Sequence, residues 1–430
     1  MSARTAVHEV TNEQTSCLNR DFRSLKLYVA PMVLQSELAF RMLCRKYNKD
    51  IVTYTPMLSS KQFVRDKTYR DQQFQTANGD RPLIAQFAGN DAQTLIAAAR
   101  LIQTKVDAID LNFGCPENVA RKGNYGAFLM KDPNKVVDIV RQMVDALKPL
   151  PVTCKIRLAE YGNHIPEHRR GLQGTISLCQ SLEAVGCSLV CVHGRTRHNK
   201  GKKISKADLD AIRSIKRCVT SMPIISNGNI GSPMDCIKCL NITGADGVMS
   251  AEAILGNPSL YRSLTCIDGT LHLKKLPILP PTQIAYDYLD CVEIYPPYDM
   301  IKVVKPHLYR ILHGLFPYDK ELLGRLQKCK KNMEDYRSCV DYATRIETQL
   351  LNFLNYEQNS ADLKESFLGR LHSSYYLRHR EQRNSLASNI IFDKHEQFSR
   401  GLKYTQIEQR EKQKEDRRMW IEAGGVRISR

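Results

Sequence analysis

The chain has 430 residues, room for an eight-stranded α/β barrel of about 250 residues and a smaller domain beside it. Hydrophobic residues make up 42% and charged residues 25%, the balance of a folded protein rather than a disordered or fibrous one. No apolar run reaches the ~18 residues of a membrane helix. The opening MSARTAVHEVTNEQTS has no apolar signal core, so neither secretion nor membrane insertion is expected.

Lys+Arg 63 against Asp+Glu 45 leaves a net charge of +18. An excess of this size favours polyanionic partners, whose neutralised phosphates release counterions. A solvated basic surface explains the same number equally well. The 14 cysteines run from Cys17 to Cys339 without a paired framework. They are expected to be reduced thiols of a cytoplasmic protein, or one that is also nuclear. A monomer is expected.

Short β-type runs alternate with helical patterns from Leu27 to about Leu264. The expected strands are LYVAPM (27–32), DIVTYTPM (50–57), PLIAQFAG (82–89) and AIDLNFGCP (108–116), then PVTCKIRL (151–158), SLVCVHGR (188–195), PIISNGNI (223–230) and DGVMSAEAI (246–254). Helical segments such as Asp91–Gln103, Asn134–Leu147 and Ser232–Asn241 separate them. Eight βα units of this length predict a (β/α)8 TIM barrel. The alternative is a doubly wound open sheet, but no GxGxxG turn supports it. Most of these strands end in polar or Gly/Pro clusters, and in a barrel those ends form the active face.

After the barrel, LPILPP (276–281) cannot continue a helix. Leu308, Ile311, Leu312 and Leu315, then Cys339, Ala343, Ile346, Leu350 and Leu354, recur at helical spacing and predict helices that bury one face. The expected organisation is an extension over 1–26, the barrel over 27–265 and a linker over 266–281. A smaller all-α domain follows over 282–370, then a charged tail over 371–430, helical or disordered.

The most specific stretch is LNFGCPENVARKGNYGAFLM, residues 111–130. With it come APM (30–32), QFAG (86–89), CKIR (154–157), VHGRT (192–196) and SNGNI (226–230), in that order. Over roughly residues 27–350 the chain resembles the tRNA dihydrouridine synthases, marked by an LNxGCP turn after the fourth strand. KGNYGAFL and VMSAEA are similar to the eukaryotic branch that acts on D-loop uridines 16 and 17. The resemblance implies FMN, reduced by NADPH or NADH, and a tRNA substrate held partly by the helical domain.

The chemistry can be set beside the motif. Reducing the C5–C6 bond of uracil takes a hydride at C6 and a proton at C5. No side chain supplies hydride, so a flavin or nicotinamide must. A thiol with an ordinary pKa near 8.5 is protonated at neutral pH and can give its proton up. Cys115, on the Gly-Cys-Pro turn, is placed for that role. A buried core cysteine is its bland alternative and the default for the other thirteen.

By resemblance, Pro31 and Met32 would lie against the flavin rings and Gln86 would bond their polar edge. Lys155 would stabilise negative charge on the reduced ring, and His193 would hold the cofactor. Asn227, Gly228, Asn229, Ala251 and Glu252 follow the last two strands, where barrels commonly bind phosphate. Many bacterial relatives have Gly-Arg in place of Ala251-Glu252. A glutamate repels phosphate, so backbone N–H groups are the expected donors there. His193 as a structural histidine and NGN as an ordinary turn are the plain readings.

For RNA, the acid-free RTRHNKGKKISK (195–206) offers Arg195, Lys200, Lys202 and Lys203 to phosphates. Lys302, Lys305 and Arg310 add charge to the helical domain. A D-loop base must leave its stack to reach a flavin, and Tyr125 can stack on it or lie in the core. Cys236 and Cys239 form the one CxxC, with no second pair to complete a zinc site. No metal is expected. Two other functions remain open: an FMN barrel reducing a small enone or free pyrimidine, and a catalytically dead RNA-binding protein.

Overall fold

The computed structural model describes residues 21–160, 171–199, 205–358 and 365–372. In chain order the first half runs β1 (Leu27–Val29), α1 (Leu38–Tyr47), β2 (Ile51–Tyr54), β3 (Leu58–Ser59), α2 (Ser60–Arg65), α3 (Lys67–Gln73), β4 (Leu83–Ala88), α4 (Ala92–Arg100), β5 (Ala108–Phe113), α5 (Asn118–Lys122) and α6 (Pro133–Leu147). Then come β6 (Val152–Arg157), α7 (Gly171–Ala184), β7 (Leu189–His193), α8 (Leu209–Cys218), β8 (Ile224–Asn227), α9 (Pro233–Thr243), β9 (Gly247–Ser250) and α10 (Glu252–Gly256). A hairpin, β10 (Leu264–Ile267) with β11 (Thr270–Leu273), precedes α11 (Pro281–Ile294), α12 (Met300–Ile311), α13 (Lys320–Lys328) and α14 (Met333–Gln358).

Every neighbouring pair in the large sheet is parallel, and β1 pairs with both β2 and β9. The sheet therefore closes. It is the expected (β/α)8 barrel, with its second strand broken into β2 and β3, both paired to β4. The strands are shorter than their sequence patterns, mostly at the C-terminal end, because the polar residues there belong to loops. The expected strand 246–254 stops at Ser250, and Glu252 begins α10.

Residues two apart on a strand share a face, and register stacks them in layers. The lower interior is apolar: Tyr28, Val52, Tyr54, Ile84, Ala108, Leu189, Cys191, Ile225 and Met249 form one buried cluster. Phe22 joins it from a single helical turn within the expected extension, accepting a 2.8 Å bond on its carbonyl from the Tyr28 hydroxyl. Two residues higher the same faces turn polar. Gln86 stands opposite Asp110, Asp110 opposite Thr153, Asn112 opposite Lys155, Arg157 opposite His193 and His193 opposite Asn227.

The remaining helices bury their apolar faces against the barrel and against one another, each enclosed Leu or Ile contributing about 2 kcal/mol. One core runs from Phe40 and Leu43 of α1 through Tyr288 of α11 and Leu308 of α12 to Ala343 and Leu350 of α14. All four residues Leu308, Ile311, Leu312 and Leu315 are fully buried, as are Cys339 and Ala343 within the longest helix. The Leu354 side chain lies outside the described residues. Hairpin β10–β11 occupies part of the stretch expected to be a linker. Leu371 and His372, expected to open the charged tail, are buried in this same region. The rest of the tail lies outside the described residues.

Candidate active site

Polar side chains converge at the C-terminal ends of the strands. On the β4–β5 side, Gln86 is fully buried and engaged at both ends of its amide. Its Nε2 donates to Asp110 Oδ2 at 2.8 Å, and its Oε1 accepts from Asn112 Nδ2 at 2.8 Å. Asp110 Oδ1 accepts from the Thr153 hydroxyl at 2.7 Å. Burial pushes the Asp110 carboxyl up to about 6, against the opposing pull of those two bonds and of Lys155.

Asn112 carries the pattern into the turn that follows. Its Oδ1 accepts the backbone N–H groups of Gly114 at 3.2 Å and Cys115 at 2.9 Å, an Asx arrangement that folds the chain back. The Cys115 carbonyl accepts from Ala127 N–H at 3.0 Å. Gly126 sits between them at φ +63°, where a Cβ would lie 2.7 Å from that carbonyl oxygen. The glycine of the GAF segment is thus a steric requirement. Cys115 itself is half-buried, and Tyr125 is half-buried close by, with its hydroxyl pKa raised by burial and then by Cys115.

The β6–β8 side is cationic. Lys155 Nζ donates to Asn227 Oδ1 at 2.9 Å, and Asn227 Nδ2 donates to the Met249 carbonyl at 2.8 Å. Burial lowers the Lys155 pKa, and Arg157 adds to that, while Cys191, Asp110 and Cys115 oppose it. Arg157 holds the Gly114 carbonyl at 2.8 Å and the Thr196 carbonyl at 3.0 Å; burial brings its pKa down to about 10. Desolvation and three neighbouring cations, Arg157, Lys155 and Arg195, keep His193 well below its usual range. His193 is therefore neutral at pH 7.

Arg195 faces inward. Its guanidinium contacts His193 Nε2 at 3.0 Å, Asn229 Oδ1 at 2.9 Å and the Ser205 carbonyl at 2.7 Å. The neutral His193 accepts at Nε2. Gly228 has φ +114°, and a Cβ there would lie 2.7 Å from that of Ala207. Asn229 follows at φ +62°, a conformation asparagine tolerates. Pro31 and Met32 are half-buried in the loop after β1, with Ala30 N–H bonded to the Ser250 carbonyl at 3.0 Å. That bond brings them beside Ala251 and Glu252. Glu252 is half-buried at the start of α10, and the Ala251 carbonyl accepts from Leu255.

Every cofactor residue expected from the sequence thus lies in the last three residues of a strand, in the loop after one or, for Glu252, at the start of α10. The RNA residues divide. Lys200, Lys202 and Lys203 lie outside the described residues, and Arg195 is a wall of the mouth. Lys302 is exposed and paired with Asp299 at 3.1 Å, and Lys305 Nζ donates to the Gln327 carbonyl at 2.8 Å. Arg310 is half-buried on the same helix. Cys236 and Cys239 are buried in α9, where Cys239 Sγ donates to Ser226 Oγ at 3.1 Å. Asp110, Asn112, Thr153 and Arg157 were not singled out from the sequence. Their signal was present: polar residues spaced two apart within otherwise apolar strands share the inward face.

The donor set suits an anionic, hydrogen-bonding cofactor such as FMN. Lys155, Arg157 and Arg195 supply positive charge in a desolvated mouth, and amides line the opposite side. The dihydrouridine synthase (Dus) family model matches residues 28–347. The chain belongs to the dihydrouridine synthase family. It is 38% identical over 304 residues to a rat protein named tRNA-dihydrouridine(16/17) synthase [NAD(P)(+)]-like, covering 70% of this chain and 63% of that one. A budding-yeast tRNA-dihydrouridine(16/17) synthase [NAD(P)(+)] is 35% identical over 320 residues, covering 73% of this chain and 71% of its own. A human tRNA-dihydrouridine(20a/20b) synthase [NAD(P)+]-like protein is 41% identical over 234 residues, covering 54% and 69%. The chain spans less than two thirds of the length of the rat and mouse relatives. In this Dus-family barrel the LNFGCP turn, Lys155 and His193 lie at one mouth.

Proposed function

We propose that the protein reduces uridines 16 and 17 of the tRNA D-loop to 5,6-dihydrouridine, using FMN and NADPH or NADH. The convergence of the Cys115 turn with Lys155 and Arg157 carries the chemistry: Arg157 holds Gly114, and Cys115 lies near enough to act on the charge of both cations. Positions 16 and 17 rest on the likeness to the rat and budding-yeast proteins named for them. Bound in the mouth, the reduced flavin would supply the hydride to uracil C6. Pro31 and Met32 would pack against the flavin, Gln86 and Lys155 would meet its polar groups, and His193, Asn227, Gly228, Asn229 and Ala251 would help to hold it.

Cys115 delivers a proton from Sγ to C5 as general acid. Lys155 keeps a positive charge beside the group that becomes anionic on reduction. Arg195 orients His193 and Asn229 from within the wall. Lys200, Lys202, Lys203, Lys302, Lys305 and Arg310 supply positive charge for tRNA phosphates. The target base leaves its stack to reach the mouth, with Tyr125 beside it. The deciding experiment incubates purified holoprotein, NADPH and unmodified tRNA, then maps dihydrouridine by mass. Product at positions 16 and 17 supports the reading; product at 20a or 20b moves the position, and a colourless protein that cannot be loaded with FMN overturns it.

A further inference from the structure

The polar groups on the β4–β5 side form a chain with a single direction. Asp110 is fully enclosed and takes the Thr153 hydroxyl on one oxygen and Gln86 Nε2 on the other. A carboxylate offers only acceptors at those contacts. It therefore fixes the Gln86 amide with its nitrogen inward and its oxygen toward Asn112. That oxygen takes Asn112 Nδ2, which leaves the Asn112 oxygen for the N–H groups of Gly114 and Cys115. Each amide is oriented by the one before it.

Reversing either amide breaks the chain. A flipped Gln86 would set its NH2 group against the NH2 of Asn112, and Asn112 would have to flip in turn. Its NH2 would then face two backbone donors, and the turn would lose both of its anchors. Enclosing a carboxylate is costly, and the layer below is filled by Ile84 and Ala108, which need no partners. What Asp110 contributes in their place is direction.

We propose that Asp110 is a positioning residue for the reaction: through Gln86 and Asn112 it sets the orientation of the turn that presents the Cys115 thiol, touching neither substrate nor cofactor. This rests on the reading of Cys115 as the proton donor. Removing the carboxylate releases Gln86 and lets the turn sample a second arrangement, and misplacement of a reacting group by about 1 Å costs on the order of 100-fold in rate.

The test uses the full-length holoprotein in single turnover, with flavin reduction by NADPH and reoxidation by unmodified tRNA followed separately. Asp110→Val, with Asp110→Ser as a smaller second replacement, is expected to keep flavin bound and to slow its reduction by no more than about 5-fold, the ~1 kcal/mol of one loosened Gln86 contact. Reoxidation by saturating tRNA is expected to fall about 10- to 100-fold, with KM for tRNA unchanged. Asp110→Asn restores the rate: its oxygen can take Gln86 while its nitrogen donates to the Thr153 hydroxyl, and the reverse arrangement is disfavoured because it would turn the Asn112 NH2 against the Gly114 and Cys115 N–H groups. Thr153→Val removes the carboxylate's other partner and, assayed at pH 8 where Asp110 stays ionised, leaves Gln86 pinned and reduces tRNA normally.

Alkylation of Cys115 by iodoacetamide gives an independent readout. It should change in the Val and Ser variants and match the wild type in Asp110→Asn and Thr153→Val. Wild-type reoxidation in the Val or Ser variant overturns the proposal, as does an Asp110→Asn protein as slow as Asp110→Val. Equal losses in both half-reactions also overturn it, since they mean general damage. Full tRNA reduction by Cys115→Ala removes the thiol from the chemistry instead. The alkylation pattern still reports whether Asp110 sets the turn.

Discussion

Buried polar groups occur both in the barrel mouth and along the seam where α11–α14 pack, and the two regions use them differently. In the mouth they are linked. Both oxygens of Asp110, both ends of the Gln86 and Asn112 amides, and the pair Lys155–Asn227 are mutually satisfied. Along the seam Asp287 is linked to Lys46, Tyr47 and Gln283, but three other buried groups are pins with one atom left over. Glu347 Oε1, His307 Nδ1 and His372 Nδ1 are enclosed without a hydrogen-bond partner. A linked network fixes orientation, whereas an isolated pin fixes only register between helices and carries a desolvation cost.

The sharpest separation comes from Cys115→Ala. If the thiol serves only proton delivery, FMN stays bound and its reduction by NADPH stays near normal. Dihydrouridine formation falls by ~10²–10⁴-fold, about 3–5 kcal/mol of transition-state stabilisation. Thermal stability should barely move, because the turn is held by Asn112 and Ala127 through the backbone. A large drop in melting temperature would mean that the cysteine is a packing residue.

The mirror-image experiment is in the seam. His307 is fully buried, stacked on Phe40 with ring centroids 4.6 Å apart, and its Nε2 meets Glu37 at 3.0 Å. Glu37 also accepts from the Tyr288 hydroxyl at 2.9 Å. His307→Ala leaves a cavity and removes one partner of Glu37, and should cost about 3 kcal/mol in unfolding free energy. Flavin reduction per folded molecule should be unchanged. A selective loss of turnover at full stability would erase the distinction between the two regions.

Arg195 tests where the mouth ends. Bonded to His193, Asn229 and Ser205, it should act on the cofactor rather than on RNA. Arg195→Ala is expected to weaken flavin retention by about 10-fold, the ~1.5 kcal/mol of one charged hydrogen bond, and to leave the salt slope of tRNA binding unchanged. Reversing Lys200, Lys202 and Lys203 should do the opposite, lowering that slope by about one for each phosphate no longer neutralised. Titration of tRNA binding against salt reads both sets of variants.

The barrel was legible because strand and helix periods alternate eight times, and the mouth because strand ends carry polar residues where a core needs none. Cys115 stood out through its Gly-Cys-Pro turn. Asp110 and Arg157 are marked only by their two-residue spacing from Asn112 and Lys155, which gives a shared face; register is needed to place them opposite Gln86 and His193. Arg195 opens a basic run that points to RNA, but local composition says nothing about which way a guanidinium turns, and here it meets His193 and Asn229. Hairpin β10–β11 was missed beside a proline-rich stretch. The burial of Leu371 and His372 leaves no mark in the sequence, because charge density rises just beyond them.

The smallest expected effect is a matter of pH. Glu347 is enclosed in α14, with one oxygen accepting from the Thr282 hydroxyl and the other unpartnered. Burial pushes its carboxyl up to about 7 from 4.5, outweighing the bond from Thr282. The folded chain therefore holds this proton more tightly than the unfolded chain. Below pH 4.5 both states are protonated and the residue adds no pH dependence. Between 4.5 and 7 the unfolded chain has released the proton and the folded chain has not, so stability falls as pH rises. Above 7 the full penalty of an enclosed carboxylate is present. Glu347→Gln removes the titration, but it places an amide N–H where no acceptor waits, which offsets part of the gain. The variant should match or fall slightly below the wild type at pH 5, and exceed it by on the order of 1 kcal/mol at pH 8. Other titrating groups cancel in that difference, so melting curves of the two proteins that stay parallel from pH 5 to 8 would show that Glu347 is already partnered and that the seam is as well satisfied as the mouth.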